Sequence, residues 1–138
     1  MSLLEIEALT ARYDRNPVLD NVTLQVPVGD FVAVVGANTA GKSTLLRCIS
    51  GLLPKTDGHI RFAGQDILKL PAHCIPALGI AHVPEGRHVF PEMTVEENLW
   101  IGGYTRRHDR AALDKDCEGV YQLFPRLRAR RHQAAGTL

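Results

Sequence analysis

The chain has 138 residues, 45% hydrophobic and 22% charged, with a formal net charge of +1. That length suits one domain with a real core, and the near-neutral balance gives no electrostatic reason to expect nucleic acid or an acidic membrane as the main partner. Its three cysteines, Cys48, Cys74 and Cys117, are odd in number and far apart, so neither a disulfide framework nor a C-x-x-C metal site is suggested. The opening "MSLLEIEALTARYD" lacks a cationic stretch followed by a long apolar run, and no later window has the roughly eighteen apolar residues of a membrane span. The chain reads as soluble and intracellular.

In chain order, residues 3–8 and 22–26 alternate apolar with polar, the period of half-exposed antiparallel strands. "DRNP" and "VGD" supply turns on either side of the second. Residues 31–35, "FVAVV", are five consecutive apolar residues, which predicts a central parallel strand buried on both faces. Leu45, Ile49 and Leu52 then recur at helical spacing, with Leu46 and Leu53 widening the stripe and Pro54 as the expected stop. "TDGHIRFAGQDI" reads as turn, short strand and glycine turn, "PAHCIPAL" as a short helix opened by Pro71, and residues 80–83 as another short strand. "TVEENLWIGG" predicts a helix capped by Thr94 with Glu97 completing a capping box, and "AALDKDCEGVYQLF" a further helix. The tail from Pro125 is Arg-rich and has no clear period.

Between the expected strand and helix lies "GANTAGKST". Gly36, Gly41, Lys42 and Ser43 satisfy G-x-x-x-x-G-K-[ST] in the strand-then-helix context that the motif requires. Glycines let successive backbone N–H groups point inward at an anion, and the helix adds its N-terminal dipole. Lys42 brings a cation for the β- and γ-phosphates, and the Ser43 hydroxyl is placed for Mg²⁺. The loop is built to hold a triphosphate, with Gly36, Ala37, Asn38, Thr39, Ala40, Gly41, Lys42, Ser43 and Thr44 as the nucleotide-contacting residues.

"GANTAGKSTLLRCISGLL" resembles the Walker A segment of ATP-binding cassette (ABC) ATPases. The likeness extends upstream through "YDRNPVLDNVTLQVPVGDFVAVVG" to that family's amino-terminal antiparallel subdomain. It implies an α/β P-loop NTPase fold: an antiparallel β-subdomain, the Walker A strand, loop and helix over residues 1–84, and the Q-loop region with the start of a helical subdomain over residues 85–138. In that register Tyr13 falls where an aromatic stacks on adenine; the alternative is a strand-end aromatic covering the core edge. "GIAHVPEGRHVFPEMTVEENL" resembles the Q-loop region of branched-chain amino acid importer ATPases, with Glu85 in place of the common Gln. Glu85 would face the γ-phosphate and Mg²⁺; otherwise it is an exposed loop acid. His82 reads as a packed histidine, and Arg126, Arg128, Arg130 and Arg131 as a solvated face.

Inside the cradle Thr39 departs from the family's usual glycine, which predicts either a strained, impaired loop or a harmless variation with negative φ. The closing "QAAGTL" leads, in the family, into the signature motif, with Leu138 as its first residue. No Walker B Asp and no water-activating Glu is found before it, since Pro84 and the family register argue against "IAHVPE" in that role. The resemblance therefore implies ATP and Mg²⁺ as cofactors and a second ABC ATPase subunit, in a homo- or heterodimer. It further implies a permease touched by residues 85–99, a place on the inner face of the membrane, no nucleic acid, and no turnover by these residues alone. Two rivals stay open: a nucleotide-binding module that never hydrolyses ATP, and a DNA-repair or translation ATPase on the same cassette.

Overall fold

A computed structural model describes residues 2–53 and 56–138. The chain divides into two compact units, Met1–His82 and Val83–Leu138. The first is built on strands β1 (Ser2–Tyr13), β2 (Asn16–Pro27), β3 (Thr56–Phe62) and β4 (Gln65–Asp66), in the order β2-β1-β3-β4. All its pairings are antiparallel. β1 and β2 are joined by a two-residue turn at Asp14 and Arg15.

Both long strands outrun their alternating stretches because each carries an irregularity that resets the period. Ile6 and Leu9 are both fully buried although three residues apart, a spacing that strict alternation would send to opposite faces. Between them the register with β2 and β3 shifts and Ala8 takes φ 49°. On β2, Asn21 takes φ 49° between buried Leu19 and half-buried Val22. The amide donors of these two residues are met by hydroxyls across the hairpin: Ala8 donates to Thr23 Oγ1 at 3.0 Å and Asn21 to Thr10 Oγ1 at 3.2 Å. Gly58 lies opposite the β1 bulge at φ 103°, where a Cβ would stand 2.6 Å from the Ala8 carbonyl oxygen, so a side chain is excluded there.

One face of the sheet packs on helix α1 (Lys42–Ile49) and on a 3-10 helix at Ala72–Leu78 preceded by Pro71. The core joins Ile6, Leu9, Ala11, Leu19 and Ile60 with Leu45 and Cys48 of α1, and with Leu53, Ile67 and Ile75. α1 stops at Ile49, with the Ser50 amide bonded to the Leu46 carbonyl. Leu52 is therefore beyond the helix and exposed, and the expected stop at Pro54 falls outside the described residues. His82 is a packed histidine, its Nδ1 3.0 Å from Ser50 Oγ.

Two expected strands are absent. Residues 31–35 belong to no strand, with Phe31 94% and Val35 89% exposed. Residues 80–83 are likewise irregular. A parallel strand needs a neighbour to take up its N–H and C=O groups, and every strand pairing among the described residues is antiparallel.

In the second unit, helix α2 (Val95–Gly102) opens with the expected capping box: Thr94 Oγ1 accepts from the Glu97 amide, and Glu97 accepts from the Thr94 amide. The bonds its carboxylate accepts from the Thr94 amide and the Thr94 hydroxyl hold the Glu97 carboxyl below its ordinary pKa. Helix α3 (Arg110–Leu123) is capped by the Asp109 side chain, and α4 (Pro125–Ala129) begins at a proline. The aperiodic tail is ordered by pairing back on the start of the unit, with the Val95 amide bonded to the Gln133 carbonyl and the Ala135 amide to the Met93 carbonyl. Val95, Leu113, Cys117, Tyr121 and Ala135 form the buried set. Of the arginines, Arg128 pairs with Glu118, and Arg126, Arg130 and Arg131 are exposed.

Candidate nucleotide-binding site

The loop of residues 36–44 lies in the first unit and leads directly into α1. Its first half is a turn closed by the Ala40 amide on the Ala37 carbonyl at 3.0 Å, with Asn38 and Thr39 at its corner. Gly41 follows in the left-handed region at φ 85° and is the residue from which α1 starts. It is buried against β2: a Cβ here would meet Leu19 Cδ2 at 2.7 Å and the Val18 carbonyl oxygen at 3.1 Å. Glycine is demanded twice over, by φ and by the strand behind it.

No side chain caps α1 and no acidic residue stands in its first turn. Its leading amides therefore meet no side-chain acceptor from this helix. Lys42 Nζ donates to the carbonyl oxygens of Gly36 and Ala37, the latter at 2.6 Å, so the cation folds back onto the first residues of the loop. Ser43 is exposed, whereas Thr44, Leu45 and Cys48 are buried and anchor the helix. Burial pushes the Cys48 thiol up to about 11, so it stays a neutral core side chain.

Of the two alternatives for Thr39, the backbone takes the one without positive φ. The non-glycine residues with positive φ among the described residues are Ala8, Asp14, Asn21 and Ala63. The loop places its left-handed residue at Gly41, and a β-branched side chain sits at position 39 without penalty.

Tyr13, at the end of β1, is 40% exposed. Its Oη accepts a hydrogen bond from Arg47 Nη1 of α1 at 3.0 Å. Sequence reasoning missed Arg47, because nothing local links two residues 34 positions apart. Glu85 belongs to the second unit, exposed in a bend with Gly86, and its carbonyl oxygen accepts from His88 Nε2 at 2.6 Å. Among the described residues no cluster of three or more His, Cys, Asp or Glu forms a metal site. No helix among them is long and apolar enough to cross a membrane.

The family model for ABC transporters matches residues 19–136. A high-affinity branched-chain amino acid transport ATP-binding protein of Pseudomonas aeruginosa is 40% identical over 99% of this chain and 58% of its own length. A probable branched-chain amino acid transport ATP-binding protein of Archaeoglobus fulgidus is 38% identical over 99% and 57%. A crystal structure of an ABC-transporter ATP-binding cassette in its ADP conformation superimposes with a TM-score of 0.80 at 26% identity, over all of this chain and 59% of that one. The chain thus spans somewhat under 60% of the length of these proteins. On the match of its P-loop, its antiparallel sheet and nearly its whole sequence, the chain belongs to the ABC transporter family of ATP-binding proteins.

Proposed function

We propose that this chain is the P-loop-bearing part of the ATP-binding subunit of a branched-chain amino acid importer. The observation that carries the reading is the Gly41 junction, where a left-handed glycine pressed against β2 opens an uncapped helix beneath the Lys42 ammonium. The names of the relatives that match the whole chain support the transport class.

In this reading the phosphates of ATP meet the amides that begin α1 and the inward amides of residues 36–41. Lys42 Nζ exchanges the Gly36 and Ala37 carbonyls for β- and γ-phosphate oxygens. Ser43, exposed at the helix start, is the residue of the first unit assigned to Mg²⁺. Bound there, the ion would neutralise phosphate charge. The Tyr13 ring takes the adenine, a contact worth about 1–3 kcal/mol by analogy with bases stacked on aromatics.

Hydrolysis needs more than this cradle. Losing a group that positions water or stabilises charge in phosphoryl transfer costs orders of magnitude in rate, and no Walker B Asp or water-activating Glu is found in these residues. The 138 residues therefore bind nucleotide without turning it over, and the importer's ATPase activity belongs to the complete subunit. That subunit pairs with a second one and engages the permease through residues 85–99 on the inner face of the membrane.

The test combines calorimetric ATP titration with phosphate release. ATP binding that Lys42→Ala abolishes, with no phosphate release by the 138 residues, supports the reading. Phosphate release that survives repurification and vanishes in Lys42→Ala overturns the division of labour, and binding indifferent to Lys42 overturns the site.

A further inference from the structure

The β1–β2 hairpin reaches the P-loop helix at two points. At the start of α1, Gly41 presses on Val18 and Leu19 of β2. One and a half turns further, Arg47 Nη1 donates to Tyr13 Oη at 3.0 Å. The first contact is buried and sets where the loop lies. The second is exposed and polar, and it ties a ring standing at the very tip of the hairpin, beside the two-residue turn. Tyr13 pairs across that tip with Asn16 through the backbone, which fixes its Cα but not its ring. Its neighbours Asp14 and Arg15 are exposed turn residues that offer the ring no apolar wall.

We infer that Arg47 is a positioning residue for the nucleotide base. Its guanidinium holds the Tyr13 phenol on the helix that also carries Lys42 and Ser43, so the stacking ring and the phosphate cradle are registered on one rigid element. A ring oriented before binding loses less freedom when the base arrives, and a hydrogen bond to a charged donor is among the stronger ways to fix it. Arg47 acts through Tyr13 and touches neither phosphate nor base. This inference rests on the assignment of Tyr13 to adenine made above.

The test measures ATP and inorganic tripolyphosphate affinities by calorimetry, in the complete gene product, for Arg47→Met, Tyr13→Phe, the double variant and Tyr13→Ala. Arg47→Met keeps the helix-forming stem, and Tyr13→Phe keeps the ring while deleting the acceptor, so the second tests the same bond if the first fails to fold. Each should weaken ATP by about fivefold and leave tripolyphosphate within about twofold, and the double variant should lose no more than either single one. A merely structural bond would lower the melting temperature and weaken both ligands alike, which overturns the inference. Unchanged ATP affinity in Arg47→Met and Tyr13→Phe, with a selective ATP loss in Tyr13→Ala, overturns the role of Arg47 and leaves the adenine contact standing. Equal losses with both ligands, or none, in Tyr13→Ala overturn the adenine contact itself and the inference with it.

Discussion

Replacing Gly41 by alanine tests the junction on which the site reading rests. The native φ of 85° costs an L-residue about 1–2 kcal/mol that glycine does not incur. The new methyl would also sit 2.7 Å from Leu19 Cδ2 and 3.1 Å from the Val18 carbonyl oxygen. Leu19 is only 5% exposed, so its methyl has little room to withdraw, and overpacking of this kind adds about 1–3 kcal/mol. Gly41→Ala should therefore lower the stability of the first unit by about 2–5 kcal/mol. It should weaken ATP at least about tenfold, because relief of the clash moves the start of α1 off the phosphates. Gly36→Ala is the internal control. Its φ lies outside the left-handed window, and its methyl meets only Ala40 Cβ at 3.1 Å, so the cost should be about 1 kcal/mol or less. Urea unfolding and calorimetric titration on the two variants separate the cases. Adding Leu19→Ala to Gly41→Ala should recover part of the packing loss, though not the φ penalty, and a double-mutant cycle isolates that coupling. Equal stabilities in the Gly41 and Gly36 variants, or an unchanged ATP affinity in Gly41→Ala, would refute the reasoning.

Thr39→Gly should leave ATP affinity within about twofold and lower stability by about 0.4–1 kcal/mol, the cost of a freer unfolded chain; a tenfold tightening in calorimetry would show that the threonine strains the loop after all. Cys48, with its thiol raised from 9.0 to about 11 by burial, gives a pH dependence of definite sign. Below pH 9 folded and unfolded chains both hold the proton; between about 9 and 11 only the folded chain keeps it, so stability falls as pH rises. Melting temperatures from pH 8 to 11 should drop more steeply for the wild type than for Cys48→Ala, and parallel curves would contradict the assignment.

Features of the fold that depend on neighbours in sequence were legible, and those that depend on distant partners were not. The Thr94–Glu97 capping box and the Gly41–Lys42 junction are chemistry of a few adjacent residues, and both stand where the pattern put them. The bulges at Ala8 and Asn21 were invisible because each is stabilised by a hydroxyl on the other strand, Thr23 and Thr10. The alternation therefore runs up to Ala8, the bulged residue of β1, and resumes at Val22, directly after the bulged Asn21 of β2. The tail at 133–136 had no period because its order comes from pairing with residues 91–95. At the site, the phosphate cradle was readable and the Arg47–Tyr13 bond was not, for the same reason.

Residues 31–35 carry that logic furthest. An apolar run reports what its side chains require, whereas a strand exists only where a neighbouring backbone meets its hydrogen bonds. Here the requirement is plain and the neighbour is missing: Phe31 is 94% exposed and Val35 89%, while the antiparallel sheet in the same unit is complete without them. Leaving such a run in water forfeits roughly 1.5–3 kcal/mol for each large side chain that could be buried, and its N–H and C=O groups, outside every ladder among the described residues, offer an edge to any passing strand. The proposed function accounts for both features together. The relatives that match this chain end to end are longer than it by more than half, and in a complete cassette residues 31–35 would be the strand against which that further sequence builds a parallel sheet.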